Sequence, residues 1–73
     1  MPDIADRLKE LRKSKGVTQK HIYTVVGLSE RNYQALEYGE HRPSHDSIIR
    51  LAAFFEVSTD YLLGLTDNPE RLN

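Results

Sequence analysis

Glu30, Arg31, Asn32 and Gln34 place four hydrogen-bonding heads within five consecutive positions of the 73-residue sequence. Each has a match on a nucleobase edge. An arginine fork can grip guanine O6 and N7, a glutamine can grip adenine N6 and N7, and a carboxylate can accept from cytosine N4. Ala35, between Gln34 and Leu36, offers only apolar contact, such as to a thymine methyl. The same residue types are common on any solvated helix face, so the cluster alone leaves both readings open.

Other chemistry finds less support. There is no cysteine, which removes a thiol nucleophile, a disulfide framework and a zinc–thiolate site. No Gly-rich phosphate loop appears. His41 and His45 are four apart, but Pro43 between them keeps them off one helix face. We therefore expect no metal site, no cofactor and no catalytic residue. Ser29, Ser44 and Ser58 each precede an apolar-periodic run, where a serine serves as a helix cap rather than as a nucleophile.

The elements that position the cluster are helical, and no segment alternates like a strand. The first helix is expected from about Asp3 to Ser14, with Ile4, Leu8 and Leu11 on one face and Gly16 ending it. The second starts after Thr18, carries Ile22, Val25 and Val26, and stops at Gly27. The third starts after Ser29, turns Tyr33 and Leu36 inward, and ends at Gly39. The fourth follows Pro43 and Ser44 with Ile48, Leu51, Ala52 and Phe55 at helical spacing, and a short fifth lies in "STDYLLG". The expected core is Leu8, Leu11, Val17, Ile22, Val26, Leu28, Leu36, Ile48, Leu51, Ala52, Phe55, Val57, Leu62 and Leu63. Together these give an all-α, compact five-helix domain over residues 1–65. Residues 66–73, "TDNPERLN", read as a polar C-terminal tail or linker.

Two short helices joined at one glycine cross at a large angle and form a helix-turn-helix, whose second helix can enter a major groove. Net charge is −1, but it is unevenly spread. Residues 1–20 hold six basic against three acidic side chains, while residues 46–73 hold two against five. One face can thus meet an anion. The charged N-terminal stretch "MPDIADRLKE" does not resemble a secretory signal, and no apolar run approaches the roughly 20 residues of a membrane span. A cytoplasmic location is expected, with no membrane partner and no small-molecule ligand.

Four pieces of sequence, "RLKELRKSKGVTQ", "VVGLS", "LEYGEHRPS" and "LAAFFEVSTDYLLG", occur in an order and spacing that resemble the Cro/CI-type helix-turn-helix repressors of phages and bacteria. The resemblance covers about residues 4–64. It implies a lambda-repressor-like fold and a transcriptional regulator, with double-stranded DNA as ligand. It also implies a homodimer on a near-palindromic operator. It places Glu30, Arg31, Asn32 and Gln34 at positions that read bases, and Gln19 and Arg42 at positions that touch the DNA backbone. Arg12 and Glu37 match an internal ion pair. Phe54, Tyr61 and Leu65 fall where the dimer contact often lies. The alternative is a helix-turn-helix module that serves protein interaction, in an antitoxin-like or assembly role, with little specific DNA binding.

Two positions depart from the pattern. The family has a small residue where this chain has Tyr23 and a branched aliphatic where it has Tyr33, and those sites pack against each other between the two helices. Two rings in that space would overpack it unless they stack or one turns outward.

Overall fold

The computed structural model describes residues 3–70. Five helices follow in order: α1 Ile4–Lys15, α2 Gln19–Val26, α3 Glu30–Glu37, α4 His45–Phe55 and α5 Thr59–Leu62. No strand occurs among the described residues. Each helix starts on a short polar side chain that accepts the backbone N–H three residues on. These caps are Asp3, Thr18, Ser29, Ser44 and Ser58, at 3.0–3.1 Å. Each satisfies one of the orphan donors of its helix. Caps matter here because helices of four to twelve residues have little stability of their own.

Packing completes what the caps begin. The helix α1 rests on α3 and α5, α2 lies against α3 and α4, and α4 meets α5. Leu8, Ile22, Leu36, Leu51 and Leu62 are fully buried where these faces converge, with Val26, Ala52, Phe55 and Val57 around them. Leu11, Val17, Leu28 and Ile48 border this core, half-buried. Leu63, expected inside, is exposed, because Leu62 takes the inward position of the short α5. Tyr33, Tyr61 and Ala5 also enter the buried set.

The turn between α2 and α3 fixes the mutual angle of those helices. Gly27 has φ 86°, a left-handed conformation that glycine adopts without steric cost. A side chain there would also crowd Arg50, whose Nη1 would lie 3.3 Å from the added Cβ. Arg50 reaches over the turn from α4. It donates to the Val26 carbonyl at 3.4 Å and pairs with Asp46 at 3.0 Å. A cation at this helix C-terminus is favourably placed against the helix dipole.

Residues 66–70 fold back on the domain. The Ser58 N–H donates to the Pro69 carbonyl at 3.0 Å, and Arg7 Nη2 pairs with Asp67 at 2.9 Å. Arg7 is itself buried, with its guanidinium 3.9 Å from the Tyr61 ring centroid. Residues 71–73 of the expected tail lie outside the described residues.

Candidate nucleic-acid interface

The surface of α3 divides into stripes set by the 3.6-residue period. Tyr33 and Leu36 face the core. Glu30, Gln34 and Glu37, spaced i, i+4, i+7, form a seam against α2. Arg31, Ala35 and Tyr38 have the same spacing one residue further round and face outward.

The seam is polar. Glu37 is only 1% exposed at its side chain and accepts from Arg12 in a bidentate arrangement. Arg12 Nε lies 3.1 Å from both carboxylate oxygens and Nη2 lies 2.7 Å from Oε1. Gln19 Nε2 donates to the same Oε1 at 3.1 Å. Because a carboxylate only accepts, the Gln19 amide must turn its nitrogen toward Glu37. Its oxygen is thereby left facing Gln34, whose Nε2 lies 3.4 Å away. One chain of hydrogen bonds thus runs from α1 through α3 to the start of α2 and back to α3. Burial pushes the Glu37 carboxyl up, but Arg12, Tyr33 and Gln19 together outweigh it and hold the group below the usual carboxylate range.

The expected ion pair is therefore present, and Glu37 is its buried member. The two tyrosines solve their volume problem by parting. Tyr33 lies wholly in the core. Its hydroxyl is buried and makes no hydrogen bond of normal geometry. Burial, then the neighbouring Glu37, push its phenol far above the ordinary tyrosine range. Tyr23, half-buried, directs its hydroxyl along the seam to Glu30 Oε2 at 3.4 Å.

Among the four expected base readers, the fold thus separates two pairs. Glu30 and Gln34 lie on the seam and already hold intramolecular partners. Arg31 is exposed, and with Asn32 and Ala35 it lines a shallow groove that continues to Glu40 and His41. Glu30 makes no ion pair with Arg31; the described ion pairs are those of Arg7, Arg12 and Arg50. Arg42 is exposed in the loop after α3 and borders a second groove, floored by Ile4, Ala5, Ile48 and Leu63. Gln19 is half-buried, its amide engaged by Glu37 and Gln34. Tyr38, 58% exposed at the end of the outward stripe, escaped the sequence reading. Its signal was the i+7 spacing from Arg31.

The three residues expected at a dimer contact do not form a common exposed set. Tyr61 is buried beneath Arg7, so its ring belongs to the monomer's core. Phe54 is half-buried, edge-on to Phe55 at 5.1 Å and 5.9 Å from the His21 ring. Leu65 is exposed. No His, Cys, Asp or Glu group suited to a metal ion occurs among the described residues, and no helix there is long and apolar enough to cross a membrane.

The family model for the helix-turn-helix matches residues 8–62, from the buried face of α1 to the end of α5. The chain belongs to the helix-turn-helix family. The uncharacterised HTH-type transcriptional regulator YobD of Bacillus subtilis (strain 168) is 36% identical over 64 residues, covering 88% of this chain and 57% of the relative. The cryptic phage CTXphi transcriptional repressor RstR of Vibrio cholerae is 32% identical over 71 residues, covering 94% and 63%. In three dimensions the chain is similar to the P22 c2 repressor, solved in complex with a synthetic operator. The TM-score is 0.81 and the identity 25%, over 86% of this chain and 96% of that one. The expected repressor-like helix-turn-helix fold is thus the one found. The chain spans about half the length of the first curated relatives it matches.

Proposed function

We propose that this helix-turn-helix domain binds double-stranded DNA in a sequence-specific way and regulates transcription, as a repressor. It inserts α3 into the major groove and acts in the cytoplasm, without catalysis. One observation carries the reading. The outward stripe of α3 leaves Arg31 and Tyr38 exposed with Ala35 half-exposed between them, on a helix whose inner edge is locked by Arg12, Glu37 and Gln19. A groove reader needs that combination, because base contacts discriminate only when the side chains arrive in a fixed position. The names and the operator complex of the relatives support the same reading.

The geometry also argues for two copies. Eight residues make α3 about 12 Å long, enough to face roughly four base pairs. That is too little information to single out a site in a genome. Two copies on a near-palindrome double it, with half-sites about 34–36 Å apart. The domain measures 29 × 22 × 21 Å between Cα extremes. Copies at that spacing meet only at their edges, so the homodimer is weak in free solution and is assembled on the operator. Within the proposal, residues 1–65 are the binding unit, and residues 66–70 pack back against it through Asp67 and Pro69.

Selection of bound duplexes from a random library tests the reading, followed by titration of the enriched sequence at several salt concentrations. The expected result is a symmetric site, two chains at saturation, and affinity that falls steeply with salt. No enrichment, with salt-independent or absent DNA binding, refutes it and favours a protein-interaction module.

A further inference from the structure

We propose that Tyr23 sets sequence specificity: its hydroxyl holds the Glu30 carboxylate as a fixed acceptor at the groove, so that each half-site carries a cytosine opposite the first turn of α3. This rests on the DNA-binding reading and adds a residue and a base to it. Gln19 and Tyr23 lie one turn apart on α2, and their partners Gln34 and Glu30 lie one turn apart on α3. The two links are successive rungs of one seam. The ring of Tyr23 packs against the core, which fixes where its hydroxyl can be. The hydroxyl then donates to Glu30 Oε2 over 3.4 Å, a long and weak bond that biases the carboxylate and leaves Oε1 to accept elsewhere. Glu30 has no cationic partner among the described ion pairs, and it is exposed at the first position of α3. Its charge is favoured there by the helix dipole.

A carboxylate only accepts hydrogen bonds. In the major groove guanine offers O6 and N7 and thymine offers O4, all acceptors that repel it. Adenine offers one donor beside the acceptor N7. Cytosine offers the N4 amino group alone. A carboxylate held in place therefore selects cytosine. One left free would swing away from the phosphates and select nothing. Tyr23 is thus a positioning residue for the reader Glu30.

The test compares the duplexes selected by the wild-type domain with those selected by Tyr23→Phe and Glu30→Gln, followed by affinities for all four bases at the assigned position. Wild type is expected to enrich a symmetric site with cytosine at one position per half-site. Glu30→Gln should shift that position toward adenine. Tyr23→Phe keeps the ring and the fold, checked by its circular dichroism. It should reduce discrimination for cytosine there about 2- to 3-fold, the lower weight of one hydrogen bond, and leave the other positions unchanged. Unchanged cytosine preference in Tyr23→Phe overturns the role of Tyr23, and unchanged base preference in Glu30→Gln overturns that of Glu30. An enriched site without the cytosine also overturns the proposal while leaving the DNA-binding reading intact. Failure of the wild type to enrich any sequence refutes both.

Discussion

Replacing Arg12 with methionine is the sharpest test of how α3 is held. The substitution keeps most of the apolar stem and removes the guanidinium. Glu37 then loses all three of its hydrogen bonds from Arg12 and keeps only the one from Gln19. A carboxylate with 1% of its side-chain surface exposed is left charged and almost unpaired. Breaking a buried pair from one side costs about 3–5 kcal/mol. Arg12 itself keeps 21% exposure, so the lower end, about 3 kcal/mol, is the better figure. A domain of 73 residues has about 4–11 kcal/mol in all. The thermal midpoint should therefore fall by at least about 12 °C. Adding Glu37→Gln to Arg12→Met should recover part of the loss, since the buried charge disappears. The pH dependence supplies an independent sign. In the wild type Glu37 is held below its unfolded value, so its contribution is complete above the ordinary carboxylate range and is lost as pH falls through the lowered value. Without Arg12 the strongest opposition to burial is gone and only Tyr33 and Gln19 still counter it, so the carboxyl rises relative to the wild type and acidification should relatively stabilise the variant. The assay is thermal unfolding by circular dichroism across pH 4–8, expressed as the difference between variant and wild type. A midpoint shift below about 4 °C, or a difference that does not shrink on acidification, would refute the buried-pair reasoning.

Four further outcomes follow from the same structure. Tyr33→Phe removes a buried hydroxyl that lacks a hydrogen bond of normal geometry but helps hold the Glu37 carboxylate charged, so the cost should stay below about 1 kcal/mol; a larger loss would show that the hydroxyl is a full partner of Glu37. Arg31→Ala should cost about 1–3 kcal/mol on the preferred operator and relax one base pair per half-site, whereas equal weakening of every single-base variant would make Arg31 a phosphate clamp. Arg42→Ala should weaken all sequences alike and lower the salt slope by about one per copy, and a slope equal to that of the wild type removes Arg42 from the backbone contacts. Gln19→Ala should lower the thermal midpoint and also blur whatever Gln34 reads, because its amide braces both Glu37 and Gln34; a purely uniform loss of affinity at unchanged stability would show that it only touches a phosphate.

The fold was legible because its local signals agree. Five polar caps, the apolar spacing between them, and glycines at 16, 27, 39 and 64 all mark the same boundaries. One boundary carried no such mark. The end of α4 falls on Glu56, which adopts φ 58° without being glycine. The Arg7–Tyr61–Asp67 cluster was missed for another reason. Its partners are 54 and 60 positions away, and local periodicity does not show which distant residue covers a helix face. A clue did exist. Arg7 lies three positions after Ile4 and four before Leu11, along one edge of the apolar face of α1, close enough to be covered by whatever packs on that face.

The candidate site shows the same limit more finely. The sequence placed four polar residues on one short helix, and all four are there. It did not say which of them α2 would claim, because that depends on how two helices cross and not on the period of either. The Gly27 turn sets that crossing, and Tyr23 and Tyr33 must both be accommodated within it. Had both rings pointed inward, α3 would have been pushed off α2 and its seam opened to water. Tyr33 instead fills the core, and Tyr23 slides along the seam until its hydroxyl meets Glu30. The helix stays close enough for Gln19 to reach both Glu37 and Gln34. The departure from the small-residue pattern therefore adds a polar link at the edge of the proposed groove reader, where a smaller side chain would have left Glu30 unheld.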